Sequence, residues 1–157
     1  MNTSPEYRIN VNGELRMKQN YTFAYSFGDG FTEHLFNCDL LIENSGKIHL
    51  YYSGFQLESK YEILENIPEP IWEFLLCLDL KPLPEDYYSF DYGFYVSDIG
   101  SQQIFINWKE RLYYFFIEGV ETVNFENEIE WKLKFSKLQN FLLALAKQKR
   151  KELIPKN

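Results

Sequence analysis

Residues 36–53 read FNCDLLIENSGKIHLYYS, two apolar segments separated by a turn. Apolar side chains occupy every second position from 36 to 42 in the first segment and from 48 to 52 in the second. A period of two is typical of strands that bury one face. The intervening Asn44-Ser45-Gly46 supplies turn residues, so the stretch predicts an antiparallel hairpin. An antiparallel sheet is therefore the basis of the expected fold.

Further strands are predicted on both sides of this hairpin. Asn12-Gly13, between residues 8–11 and 14–18, is a strong signal for a two-residue hairpin turn. Residues 21–27 alternate aromatic side chains with small ones, which predicts a half-buried strand. Residues 103–108 and 111–118 form a third predicted hairpin. Its second strand is apolar on both faces at positions 113–117, so we expect it to be central and covered on each side.

Two helices are predicted in the middle of the chain. Residues 58–66 are rich in helix formers, with Tyr61 and Leu64 on one side. Residues 71–80 follow Pro70, a residue favoured in the first turn of a helix. Residues 85–93 then predict a loop.

The last third of the chain allows two interpretations. The alternation over residues 129–135 favours a final strand, followed by a helix that opens with Ser136 and Gln139 at capping-box spacing. That helix would end in the basic residues 147–151, which suit a helix C-terminus. The alternative is one helix from Asn127 onward, because a heptad pattern also fits Phe135, Leu138, Leu142 and Leu145. We prefer the strand followed by the helix.

The resulting order is strands, two helices, strands and a helix. Strands joined by short turns, with helices grouped rather than interleaved, are typical of an α+β fold. The length of 157 residues corresponds to one domain, so we predict a single α+β domain over residues 1–157. It would contain a mainly antiparallel sheet, grouped helices and a C-terminal helix.

Two cysteines bear on the compartment. Cys38 and Cys77 both lie within apolar segments, which favours two small buried side chains in a reducing compartment, although a disulfide between them remains open. No segment approaches the roughly 18–20 apolar residues of a membrane span, and the first twenty residues lack the apolar block of a secretion signal. We therefore expect a cytoplasmic protein that does not insert into a membrane.

Charge is distributed unevenly along the chain. The net charge is -7, yet residues 131–157 carry eight basic side chains against Glu152 alone. The remaining residues hold eight basic and 22 acidic side chains, an acidic surface that would repel nucleic acid and attract a basic partner. The basic residues 147–151 are expected to compensate the helix dipole.

Candidate catalytic and metal-binding motifs are weak. His34 and His49 flank Cys38 but have neither HExxH nor CxxC spacing, so a structural role is favoured for both. Residues 28–30, Gly-Asp-Gly, lack the length and the lysine of a phosphate-binding loop. Gly100-Ser101 is not part of a nucleophile elbow. We predict no catalytic residue, no metal site and no cofactor.

Aromatic residues make up 18% of the chain, and 12 of them are tyrosines, so some tyrosine side chains are expected at the surface. The predicted loop mixes tyrosines with acids. Tyrosine offers rigid contact area and carboxylates pair with Arg or Lys, so the loop is typical of a recognition surface. A cation site that also uses Asp98 is a weaker interpretation of the same acids. The predicted partner-binding residues are Glu85, Asp86, Tyr87, Tyr88, Asp91 and Tyr92.

Residues 83–90, LPEDYYSF, resemble the L-P-x-D-Y-x-x-F stretch of SUKH-class proteins. The resemblance covers these eight residues. It implies a small cytoplasmic α+β protein that neutralises a bacterial toxin by binding to it. The independent argument from charge agrees with a basic toxin as the partner.

The leading hypothesis is therefore a protein-binding immunity protein that acts on a basic, nuclease-like toxin and is not an enzyme. One alternative is an enzyme whose carboxylates come from distant parts of the chain. Another is a small-ligand module or a homodimer that uses the aromatic residues as its interface.

Overall fold

The computed structural model describes residues 6–11, 14–30, 34–81, 83, 87–90, 100–123 and 129–154. Within them lie nine strands and two helices, in an α+β arrangement. Their bounds are β1 (Arg8–Val11), β2 (Glu14–Met17), β3 (Tyr21–Gly28), β4 (Asn37–Glu43), β5 (Ile48–Ser53), β6 (Lys60–Leu64), α1 (Glu69–Leu80), β7 (Tyr87–Phe90), β8 (Ser101–Trp108), β9 (Arg111–Glu118) and α2 (Glu130–Leu153).

Seven strands form the main sheet in the order β6-β5-β4-β3-β8-β9-β7. All neighbouring pairs are antiparallel except β7 and β9, which are parallel. The strands β1 and β2 form a separate antiparallel hairpin. This arrangement confirms the predicted α+β class, the mainly antiparallel sheet and the C-terminal helix. It also confirms the hairpins predicted around residues 12–13, 44–46 and 109–110.

Both helices lie against one face of the sheet. On that face the register aligns Tyr25 with Leu40 and Leu40 with Leu50, and all three side chains are buried. The helices contribute Phe74 and Phe135, whose ring centroids lie 5.7 Å apart in an edge-to-face contact. Because aromatic rings bury large areas and prefer such geometry, this layer forms the main core.

The opposite face is covered in part by the β1–β2 hairpin. Tyr7 and Met17 from the hairpin region pack with Tyr21, Leu41 and Phe105 in a second apolar cluster. The ring of Tyr7 contacts that of Phe105 with centroids 6.1 Å apart. The strands β5 and β6 contribute no buried member to this cluster, which leaves their side of the sheet more open.

The helix predicted over residues 58–66 is wrong, because Lys60–Leu64 form the edge strand β6. The strand pairs with β5 and aligns Tyr61 with Tyr51 and Glu62 with Leu50. Tyr61 and Ile63 therefore face one way and Glu62 faces the core side. Good helix formers adopt a strand here because backbone pairing with β5 outweighs a propensity of a few tenths of a kcal/mol per residue.

The final strand predicted over residues 129–135 is also wrong, and the single-helix alternative is confirmed. One helix runs from Glu130 to Leu153, so Ser136 and Gln139 lie inside it and form no capping box. The physical reason is the spacing of the buried side chains. Positions 135, 138 and 142 are three and four apart, which places Phe135, Leu138 and Leu142 on one helical face against the sheet.

Two further expectations need correction at the other edge of the sheet. Residues 87–90, part of the predicted loop, form β7, which pairs in parallel with β9. The strand β9 is next to this edge and is not central. Its apolar character on both faces has another cause: Phe115 faces the helices, while Tyr114 stacks on Phe105 of the second cluster with centroids 4.5 Å apart.

Candidate functional site

Two of the six predicted partner-binding residues lie at the β7 edge of the sheet. Tyr87 and Tyr88 belong to β7 and are aligned with Tyr114 and Phe115 of β9. The other four predicted residues lie outside the described residues, and they are Glu85, Asp86, Asp91 and Tyr92. The recognition surface predicted there stays a prediction.

At the other edge of the sheet, the structure brings together a group that the sequence analysis did not identify. The register across β4, β5 and β6 places Asp39, Tyr51 and Tyr61 in one row. Their side chains point away from the helices, since the intervening positions Leu40 and Leu50 face the core. The two tyrosine rings stack with centroids 4.6 Å apart and planes inclined by 28°.

The neighbouring row contains His49 between Leu41 and Ile63. Nε2 of His49 lies 2.6 Å from Oε2 of Glu43, and Nδ1 lies 2.7 Å from the hydroxyl oxygen of Tyr61. An ionised carboxylate only accepts hydrogen bonds, so Nε2–H donates to Glu43. In the neutral imidazole Nδ1 then accepts a hydrogen bond from the Tyr61 hydroxyl. These two hydrogen bonds hold the Tyr61 ring beside Tyr51.

We call these six residues the open-face cluster: Asp39, Glu43, His49, Tyr51, Tyr61 and Ile63. Ile63 is 55% exposed, Tyr51 and Tyr61 are half-buried, and His49 is buried beneath them. Partial burial raises the pKa of Tyr51, and the neighbouring Tyr61 adds to that effect. A shallow depression of about 60 Å³ is lined by Asp39, Tyr51 and Lys60, among other residues.

The chemistry of the open-face cluster suits a cationic side chain. Stacked tyrosine rings present negative faces to a guanidinium or ammonium group. The carboxylate of Asp39, which is paired with Tyr51 across the strands, offers charge-assisted hydrogen bonds to the same group. Because the rings are fixed by stacking and by His49, little side-chain entropy is lost when a partner binds.

A second polar cluster lies on the helix side of the same strands. Nζ of Lys149 lies 2.9 Å from Oε2 of Glu62 and 3.2 Å from Oε2 of Glu152. The hydroxyl of Tyr52 donates a 2.5 Å hydrogen bond to Glu62. The ammonium group also lies 5.5 Å from the centre of the Tyr52 ring. The lysine bridges the two carboxylates, so this cluster joins α2 to β6.

The protonation equilibria agree with a structural role for that cluster. The Tyr52 hydrogen bond is the main cause that lowers the pKa of Glu62, against an opposing effect of partial burial. Burial alone would lower the pKa of Lys149, but its hydrogen bonds to Glu62 and Glu152 outweigh burial and raise it. Burial, followed by the bond to Glu62, raises the pKa of Tyr52. The ion pair is thus fully charged at neutral pH.

Other residues considered from the sequence also have structural partners. Asp29, in the Gly-Asp-Gly turn, accepts a 2.8 Å hydrogen bond from Nε of Arg150. Gln102 and Gln139 are fully buried and bonded to each other, with the Gln139 side-chain nitrogen 3.3 Å from the Gln102 oxygen. The hydroxyl of Tyr25 donates to the same Gln102 oxygen at 2.9 Å.

Two of the candidate metal ligands, Cys38 and His49, are not brought together. Cys38 faces the helices, whereas His49 faces the opposite side of the sheet. Among the described residues no group of three or more His, Cys, Asp or Glu side chains could hold a metal ion. Cys38 and Cys77 are both buried and free, and burial raises the pKa of each thiol.

The tyrosines divide between the core and the surface. Of those whose side chains are described, five are buried, and Tyr51, Tyr61 and Tyr114 are half-buried. The alternation of the polar Lys60 and Glu62 with the apolar Tyr61 and Ile63 was the signal that could have identified β6 and with it the open-face cluster. The helix propensity of the same segment obscured it.

Comparison with protein-family models, with curated proteins and with solved structures gave no match to this chain. Neither described helix contains the long, nearly uncharged apolar segment that crossing a bilayer requires.

Proposed function

We propose that this chain is a cytoplasmic protein-binding protein that neutralises a basic partner by covering it, and is not an enzyme. An immunity protein directed against a bacterial, nuclease-like toxin is the specific form of the proposal, as the resemblance of residues 83–90 implies. The observation that carries it is the row formed by Asp39, Tyr51 and Tyr61 on the side of the sheet away from the helices.

Fixed aromatic rings next to carboxylates are the combination expected of a protein interface. Tyrosine is enriched among residues that dominate binding energy, and arginine is its frequent partner. An arginine of the partner that stacks on Tyr51 can reach Asp39, which precedes Tyr51 in the same row. Ile63 is 55% exposed and adds apolar area next to the rings.

The overall charge supports a basic partner. Before residue 131 the chain carries 22 acidic against eight basic side chains. Two basic residues near the end of α2, Lys149 and Arg150, form ion pairs with acids of the same chain. An acidic body accelerates the approach of a basic protein at low salt and leaves short-range contacts to slow its dissociation.

Two surfaces are therefore proposed, and they lie at opposite edges of the sheet. The open-face cluster includes residues of β6, and Tyr87 and Tyr88 of the other predicted surface belong to β7. Six steps between neighbouring strands at about 4.8 Å each separate these edges by about 29 Å. We propose the open-face cluster as the principal contact, and a large partner would reach both.

The test begins with capture of the partner by the tagged chain and continues with the purified pair. We expect one small basic protein at near-equal stoichiometry. Replacement Asp39→Lys should weaken its binding by more than about tenfold, because a repulsive charge then stands beside the tyrosine rings. Tyr51→Ala should weaken it similarly through lost ring contact.

The matched control is Glu110→Lys, an exposed acid in the β8–β9 turn. It changes the net charge by the same amount as Asp39→Lys, so it reproduces any long-range electrostatic effect. We expect it to weaken binding by less than about threefold. Equal effects of Asp39→Lys and Glu110→Lys would remove the open-face cluster from the proposal, and recovery of no basic partner would contradict the function itself.

A further inference from the structure

The outer side of the helical layer carries an apolar patch. Leu76 and Leu80 lie one turn apart on α1 and are 42% and 85% exposed. Ile129 and Leu133, at the start of α2, are 48% and 49% exposed with the same spacing. We call these four residues the helical patch. Exposed apolar side chains that are grouped on one surface favour an interaction site there, whereas single scattered ones do not.

A cavity of about 240 Å³ adjoins the helical patch where α1 ends and α2 begins. Its walls include Cys77, Leu83, Ile129 and Trp131, so they are mainly apolar. Leu80 also lines this cavity while it remains 85% exposed, so its side chain projects beside the opening and does not fill it. A projecting apolar side chain and an apolar cavity thus lie next to each other on one surface.

We propose that a second copy of this chain covers the helical patch, in a two-fold dimer where Leu80 of each copy enters the cavity of the other. A two-fold interface requires a self-complementary surface, because each contact occurs twice with the roles exchanged. A protruding leucine beside a cavity meets that requirement. A ligand alone would fill the cavity and leave Leu76, Leu80 and Leu133 in water.

Charge supports the same geometry. Lys81 and Glu130 both line the cavity, and both residues are exposed. When a two-fold axis passes close to Leu80, Lys81 of one copy comes to face Glu130 of the second copy. Opposite charges at the edge of an apolar contact fix its register and exclude wrong partners. The surface therefore carries the elements that a two-fold contact requires: a projecting leucine, an apolar cavity and charges of both signs.

The dimer is tested by sedimentation equilibrium of the full chain from micromolar to submillimolar concentration. We expect a monomer–dimer equilibrium. Leu80→Asp should raise its dissociation constant by about tenfold or more, because a carboxylate replaces a leucine that the dimer would bury. The matched control is Phe55→Asp, which puts the same charge on an exposed apolar residue between β5 and β6, outside the helical patch. It should leave the equilibrium unchanged.

Charge exchange provides an independent readout. Lys81→Glu and Glu130→Lys should each weaken the dimer. The double variant should restore it, because the two charges have then exchanged places and still attract each other. Circular dichroism and thermal unfolding of each variant show whether it is folded. A chain that stays monomeric throughout, or a dimer that Leu80→Asp does not weaken in the folded protein, would overturn the proposal. If an apolar probe binds in the cavity of a chain that stays monomeric, the cavity is a ligand site and not a dimer contact.

Discussion

Nζ of Lys149 on α2 lies 2.9 Å from Oε2 of Glu62 on β6, so the C-terminal helix holds the edge strand of the sheet through an ion pair. The Lys149 side chain is 11% exposed and that of Glu62 is 37% exposed, so solvent screens one end of the pair. The interaction therefore contributes less than a fully buried pair would. It still ties β6 directly to the last turns of α2.

Replacement of Lys149 by methionine tests this ion pair. The variant keeps the aliphatic part of the side chain and removes the charge, which leaves Glu62 and Glu152 facing each other without their bridge. We expect the free energy of unfolding to fall by about 1–2 kcal/mol. Urea unfolding measures it. Lys147→Met, at an exposed position of the same helix, should change the value by less than about 0.5 kcal/mol.

The same cluster predicts a dependence of stability on acid. The pKa of Glu62 is lowered from 4.5 in the native state, chiefly by the Tyr52 hydrogen bond. A lowered pKa adds stability above the unfolded-state value, and that stability disappears as the pH falls through the native-state value. We expect Glu62→Gln to reduce the loss of stability on going from about pH 5 to about pH 3. Parallel stability curves for the two proteins over this interval would show that Glu62 contributes nothing.

Gln139 connects α2 to the segment that follows β9. Its side-chain oxygen accepts a 2.7 Å hydrogen bond from the backbone N–H of Val123, and its nitrogen donates to the carbonyl of Glu121 at 3.0 Å. Gln139→Leu leaves both groups without these partners, so we expect a loss of about 1–3 kcal/mol in unfolding free energy. Asn140→Ala, at an exposed neighbour, should cost much less. Equal losses would mean that the buried bonds are replaced by water.

Gly100 is required where the chain enters β8. Its φ angle is +82°, and an added Cβ would clash with the backbone carbonyl oxygen of Gly28. We expect Gly100→Ala to lower the unfolding free energy by about 2 kcal/mol or more.

Gly46 provides the comparison, since its φ angle is +95° but an added Cβ would meet nothing within 4 Å. Gly46→Ala should therefore cost only the backbone strain, about 1–2 kcal/mol. Thermal unfolding of both variants measures the difference, which isolates the clash. Identical melting shifts would show that the backbone near Gly28 moves aside at little cost.

Elements set by local signals were predictable from the sequence. In the hairpin of β4 and β5, apolar side chains recur at every second position of both strands and turn residues lie between the strands. Residues 36–53 alone therefore predict this hairpin. The start of α1 was predictable for the same reason, because Pro70 suits only the first turn. Such signals act within a few residues and need no tertiary partner.

The errors concern segments that depend on distant partners. The strand β6 exists because it pairs with β5, and β7 exists because it pairs with β9. The start of α2 was misleading for another reason. Ile129 and Leu133 are exposed on the helical patch, so their apolar character imitated a half-buried strand.

The open-face cluster was not predicted because its residues come from three strands, one of which was assigned to a helix. Asp39, Tyr51 and Tyr61 become neighbours only when the register of β4, β5 and β6 is known. With residues 58–66 assigned to a helix, Tyr61 had no reason to lie near Tyr51. A correct strand assignment there would have placed all three in one row.

The late position of α2 affects how the chain folds during its synthesis. Arg150 pairs with Asp29, a residue 121 positions earlier, and Phe135, Leu138 and Leu142 supply fully buried side chains to the main core. Until residues 130–154 have left the ribosome, α2 cannot cover the apolar face of the sheet that precedes it in the chain. The nascent chain therefore completes its fold after translation of this segment, and before then the apolar face of the sheet lacks the side chains that α2 packs against it.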